Sequence, residues 1–224
     1  LSNTISLCHN MATSCIKSAA ALLDSNMTIA ASYVNHDTAN DFIKKIIKEV
    51  SDSKTGKERK RLLSAVSVGE TVFFGDTITS LSTKQYIIPD KWGAASGLIL
   101  AKIHEAAKNL NLDHISCYCS IRTPDKIDHI IFPSAGISIS IANFFHNVKG
   151  KELQILEDII KPLPNMENEQ MNLHLDKAKE LIATASMHIE KAKLLHDDLE
   201  AFYVEAMDFS KVDAIYEKIA EEIS

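Results

Sequence analysis

The chain has 224 residues, 46% of them hydrophobic and 24% charged, enough for one large domain or two small ones around a real core. A formal net charge of −6 supplies no global attraction to nucleic acid or to an anionic membrane. No apolar run approaches the roughly 20 residues a bilayer span needs, and the N-terminus lacks the basic-then-apolar order of a signal peptide.

The chain starts at Leu1 and not at Met, and reads as a fragment of a cytoplasmic protein. Its cysteines, Cys8, Cys15, Cys117 and Cys119, form no CxxC pair and read as reduced core residues.

Residues 1–50 read as helical. Ile5, Cys8, Ala12, Cys15, Ala19, Leu22, Ile29 and Tyr33 follow a three-four spacing broken at Asn26. After a break at Val34–Thr38, with Thr38 as the expected N-cap and Asp41 its acidic partner, a second helix carries Phe42, Ile43, Ile46, Ile47 and Val50. Residues 51–61 (SDSKTGKERKR) contain no apolar residue and read as a solvated linker; without aromatic interleaving their basic residues do not make a nucleic-acid site.

Short β-type runs follow: Val72–Phe74, Gln85–Ile88, Ile115–Cys119, Ile130–Phe132 and Ile137–Ile141. Between the second and third lies an amphipathic helix, Ala94–Leu110, so that strand, loop, helix and strand make a βαβ unit. That unit calls for a parallel sheet with at least one face covered. Residues 166–224 return to helix behind Lys161–Asn165, with a heptad seam at Leu175, Ala178, Ile182, Ala185, Ile189, Ala192, His196, Leu199, Tyr203 and Ala206. A seam this long requires a partner helix. After Met207–Ser210, with Ser210 and Asp213 as a capping pair, a short helix carries Val212, Ile215, Tyr216, Ile219 and Ile223. The chain thus divides into a helical segment (1–50), an α/β module (57–160) and a helical hairpin (166–224). The two helical parts share one plan, anchored at Tyr33-Val34 and Tyr203-Val204, so residues 1–50 read as the tail of a preceding repeat.

A phosphate-binding P-loop is a strand, then G-x-x-x-x-G-K-[ST], then a helix, with backbone amides around the phosphates, lysine on the β/γ charge and a hydroxyl on Mg²⁺. Here Tyr86–Ile88 leads into Pro89-Asp-Lys-Trp-Gly-Ala-Ala-Ser-Gly97. Asp90 stands at the first glycine, Ala95 at the second, Ser96 at the lysine and Gly97 at the hydroxyl residue. All four signature positions are substituted; Gly93 remains inside the loop and Trp92, the single tryptophan, sits beside it.

The stretch from Lys57 to Ile141 resembles the α/β unit of a little-characterised bacterial family of two-repeat P-loop ATPases. The resemblance is carried by Gly56-Lys-Glu-Arg59, Ile78-Thr-Ser-Leu81 before Tyr86-Ile-Ile88, and Pro124–Pro133. Ala192–Glu200 and Ala206–Phe209 resemble that family's helical tail. The resemblance implies a small P-loop-NTPase-like parallel sheet flanked by long helical hairpins, with ATP at the loop. The residues Asp90, Trp92, Gly93, Ala95, Ser96 and Gly97 depart from it where ATP chemistry needs them. A helix N-terminus alone offers an anion about 0.3–2 kcal/mol, and Asp90 adds negative charge beside it.

Other candidates have simpler readings. Asp125 and Asp128 could replace a Mg²⁺-holding acid but read as cap and first turn of a short helix, Pro124–Asp128. His196 and Glu200 lie one turn apart, with His188 two turns earlier, and read as seam residues over metal ligands. His129 and His146 have no nucleophile partner. The expectation is therefore a non-catalytic, P-loop-ATPase-like protein with no catalytic residue, no metal and no cofactor, weak ATP binding being left open. Its partners would be proteins, or further copies, engaged through the helical segments, without nucleic acid or membrane. The alternative is a part of an ATPase whose working P-loop lies in a missing N-terminal repeat.

Overall fold

The computed structural model describes residues 1–122, 125–150 and 153–223. A 30-residue helix, α1 (Ser2–Ala31), packs along a 42-residue helix, α5 (Asn165–Ala206). The pair is antiparallel: Asn26 meets Met171, while Ala19 clusters with Ala178 and Ile182. Small residues line the seam, including Ala12, Ala19, Ala178, Ala185 and Ala192, all buried, which lets the two backbones approach closely. Asn26 does not interrupt the helix. It lies in the seam, donating through Nδ2 to the Met171 carbonyl (2.8 Å) and accepting at Oδ1 from His174 Nδ1 (3.0 Å). The polar residue keeps its hydrogen bonds by crossing to the partner helix, as a buried amide must.

The helix α2 (His36–Val50) is capped by Asn35, whose side chain accepts from the Thr38 amide, so Thr38 is not the cap; helical backbone already begins at His36. Ala39, Phe42, Ile43, Ile46 and Val50 are buried, and the Phe42 ring meets Tyr86 edge-on at 5.4 Å.

The sheet has six strands in the order β1 (Glu58–Leu62), β5 (His114–Tyr118), β6 (Ile127–Phe132), β7 (Ile137–Ala142), β4 (Lys84–Pro89), β8 (Leu153–Ile155). Five strands share a direction, and β6 runs antiparallel to both its neighbours, so the sheet is mixed and not the parallel one expected. Only four residues, Pro133 to Gly136, turning back through hydrogen bonds to Phe132 and Pro133, separate β6 from β7; so short a connection joins antiparallel strands and cannot make a parallel crossover. The supposed linker is also corrected. Its second half is β1, an edge strand with mostly exposed side chains that takes its order from pairing with β5.

One face of the sheet is covered by α2 and α4 (Ala94–Asn109), which enclose Tyr86, Ile88, Ile130, Phe132 and Ile139. On the other face, α3 (Asp76–Leu81) and a two-stranded hairpin, β2 (Ser64–Val66) with β3 (Thr71–Phe73), cover Ile87, Ile115, Cys117 and Ile131. Each fully buried isoleucine contributes about 1.5–3 kcal/mol relative to exposure. Cys8, Cys15, Cys117 and Cys119 are free thiols; burial pushes Cys117 up to about 12 and Cys119 up to about 11.

The α5 seam fades beyond Ala192, where α1 approaches its first residues, and His196 is exposed and not a seam residue. A final helix, α6 (Phe209–Ile223), has no buried residue. Helical backbone begins at Phe209, so Ser210 lies within the first turn and is not the cap; its hydroxyl donates to Asp208 Oδ1 at 2.5 Å. Among the described residues no helix is long and apolar enough to cross a membrane.

Candidate functional site

The strand β4 ends at Pro89, and residues 90–93 lead directly into α4. Of the residues singled out in the sequence, Asp90, Trp92 and Gly93 lie in this loop, and Ala95, Ser96 and Gly97 lie in the first turn of α4. Gly93 adopts φ 82°, a left-handed conformation that glycine reaches without penalty, and a Cβ there would lie 2.8 Å from Arg122 Nη1.

The decisive residue is Asp90, which is 1% exposed. Its Oδ1 accepts from the Trp92 amide (3.2 Å) and the Gly93 amide (2.9 Å), and its Oδ2 accepts from the Ser96 amide (2.8 Å). Free amides at a helix N-terminus are the donors that bind phosphate oxygens. In this chain the protein's own carboxylate takes them. Asp90 therefore occupies the position that an anion would take at this helix N-terminus. Ala95 and Ser96 are fully buried behind it, and the Ser96 hydroxyl has no hydrogen-bond partner and points to no open site. Gly97 follows on the helix, with Met27 Sδ 3.8 Å from where its Cβ would be. Trp92 is buried, and the Lys91 ammonium lies over its ring at 4.5 Å.

Beside the loop is a cavity with about 30 Å³ of free space, lined by Trp92, Gly93, Cys119, Arg122, Asp128 and His146. That holds a water and not a nucleotide, whose pockets run to hundreds of Å³. Arg122 closes one side: its Nε donates to Asp24 Oδ1 of α1 at 2.6 Å. The loop after β5 is thus bolted to α1.

Asp128 is corrected from helix to strand. It lies in β6 where the pairing with β5 slips between Cys117 and Tyr118, and such an irregularity turns a side chain out of register. Pro124, the expected start of that short helix, lies outside the described residues, and Asp125 lies in the turn before β6. Asp128 is buried against the Lys126 ammonium, with His146 Nε2 3.9 Å from its other oxygen. Burial pushes this carboxyl up, but the Lys126 charge, then His146 and His129, hold it below the usual range. Burial pushes His129 down to about 3 and lowers His146 as well, so both imidazoles are neutral near pH 7. The ring of Phe73 packs on both, at 5.3 and 5.1 Å. A buried ion pair and two neutral histidines make a structural cluster beside the small cavity.

A third group escaped the sequence reading. Glu58 of β1, His104 of α4 and His114 of β5 converge on the α4 face of the sheet, each offering a ligand atom within 4.8 Å of the others. The signal available was only three residues, one Glu and two His, at spacings of 46 and 10, which carry no local pattern. The exposed trio His196, Asp197 and Glu200 also comes together, but Lys193 already engages Asp197 at 2.5 Å. His188 lies two turns away on the same helix.

No family model matches the chain, and comparisons with curated proteins and with solved structures gave no match.

Proposed function

We propose that this chain is a non-catalytic, P-loop-ATPase-like protein whose α/β module is structural and whose helical arm binds a partner. The observation that carries the first half is Asp90: three amides that would hold a phosphate are satisfied by a buried carboxylate. Binding a nucleotide here would require expelling that carboxylate and leaving a charge buried or the loop unfolded. The adjoining cavity admits only water.

The second half is supported by a match between α2 and α6. The five buried residues of α2 (Ala39, Phe42, Ile43, Ile46, Val50) correspond, each 173 positions later, to Val212, Ile215, Tyr216, Ile219 and Ile223, every one exposed. The same spacing relates the buried seam residues Ala12 to Ala185 and Ala19 to Ala192. The α6 face thus carries the apolar pattern that α2 uses to cover α4 and Tyr86. Its occupant is a second α/β unit that offers an α4-like helix; the α4 face of a second copy is already covered by that copy's own α2.

Trp92 reports on the loop directly. Titration with millimolar Mg-ATP leaves its fluorescence unchanged and gives no calorimetric heat; saturable binding that Asp90→Asn alters would overturn the reading. For the arm, Ile215→Asp with Ile219→Asp leaves the parent Tm unchanged, because α6 buries nothing in its own chain. A fall in Tm would show that α6 packs at home.

A further inference from the structure

We propose that Glu58, His104 and His114 form a binding site for a divalent transition-metal ion of the zinc class. The backbone builds it without special assistance. Glu58 and His114 are register partners in the parallel β1–β5 pair, so their side chains leave the same face of the sheet. The helix α4 lies over that face and brings His104 to it; His104 Nε2 donates to Glu58 Oε1 at 2.9 Å, and the His104 and His114 ring centres are 5.6 Å apart.

The pointer to a ligand is His114, which is 1% exposed. Its Nδ1 lies 2.8 Å from the Leu112 carbonyl, an acceptor only, so Nδ1 carries the proton and Nε2 carries a lone pair. That Nε2 is buried and has no hydrogen-bond partner. Leaving such an acceptor unsatisfied in the interior is unfavourable, whereas a cation beside Glu58 would satisfy it. An imidazole whose far nitrogen is pinned to a backbone carbonyl is oriented as metal-ligating histidines are.

Glu58 is equipped in the same way. Tyr118 donates its hydroxyl to Oε1 at 3.0 Å, fixing the carboxylate and leaving Oε2 to turn toward an ion. Two imidazoles and one carboxylate suit zinc-class ions, with distances of about 2.0–2.2 Å and a further position for water. Small side-chain rotations close the present 4.8 Å envelope to the roughly 3.4 Å between ligands of a tetrahedral ion. The Glu58 and His104 side chains are 15% and 17% exposed, which leaves an entry path at the β1 edge. The Asp128 cluster on the other face offers no comparable site, because Lys126 already supplies its positive charge.

The test uses the full chain stripped with EDTA and titrated with Co²⁺ for visible absorption and with Zn²⁺ for calorimetry and Tm. One equivalent binds, Tm rises, and Co²⁺ shows the intense absorption of a four-coordinate site. Glu58→Gln and His104→Gln, both at partly open positions, each weaken Zn²⁺ binding by more than about 100-fold, while Tyr118→Phe weakens it by about 10-fold. His114→Ala abolishes the Co²⁺ absorption, and His196→Ala changes nothing. Absence of stoichiometric binding, or binding retained in Glu58→Gln and His104→Gln but lost in His196→Ala, would overturn the assignment.

Discussion

Two groups of one carboxylate and two histidines lie on opposite faces of one sheet, and they differ in where the positive charge comes from. On the hairpin face, Asp128, His129 and His146 are enclosed by Phe73, and the chain's own Lys126 neutralises the carboxylate. On the α4 face, Glu58 has no lysine: its partners are His104 and the Tyr118 hydroxyl, and a lone pair on His114 stays unanswered. The difference teaches that residue types do not define a site. The Asp128 cluster also keeps unpaired polar atoms, on Asp128, His129 and His146, but its carboxylate charge is balanced within the chain, whereas that of Glu58 is not. The loop before α4 is likewise satisfied within the chain, since Asp90 accepts from its amides.

Acid acts in the same direction on both clusters, since Glu58 and His104 are lowered too, and the largest effect is expected at the fully buried His129. His129 is lowered to about 3, so between that value and its unfolded pKa near 6.5 the unfolded chain binds more protons than the folded one. Stability is therefore complete above about pH 6.5 and falls as pH drops toward 3, by on the order of 5 kcal/mol for this residue. Asp128, also lowered, adds to the loss with the same sign at the acid end. Urea unfolding measured from pH 7 to 4 will show the decline, and His129→Leu will flatten it; an equal slope in both proteins would break the contrast.

Lys126→Met strands the Asp128 charge in the interior and costs about 3–5 kcal/mol, read by the urea midpoint at pH 7. A near-neutral result would mean that solvent reaches Asp128. Asp90→Ala leaves three amides at the start of α4 without their acceptor and costs about 3 kcal/mol, while Asp90→Asn costs less because Oδ1 still accepts from Trp92 and Gly93. Equal losses would show that charge, not hydrogen-bond geometry, closes the loop. Smallest of all, Ile219→Asp shifts Tm by less than about 1 °C, since an exposed helix face lends its own chain nothing.

Much of the fold was legible. Alternating serines and isoleucines marked β7, the apolar spacing of Ala94–Leu110 marked α4, and the strand–loop–helix around Asp90 stood where the substituted P-loop pattern put it. Other elements left no trace. Glu58–Leu62 reads as polar linker because an edge strand needs no alternation, and β1 exists through its hydrogen bonds to β5. The reversal of β6 and the slip that turns Asp128 inward follow from strand pairing, which local composition does not encode.

The sequence by itself determined the long helices, the apolar strands and a strand–loop–helix that carries none of the four P-loop signature residues, because periodicity and residue chemistry are local properties. Only the tertiary structure decided that the Asp90 carboxylate takes the loop amides, and that Glu58, His104 and His114 meet. Those meetings depend on sheet register and helix docking, which bring residues separated along the chain within a few ångströms.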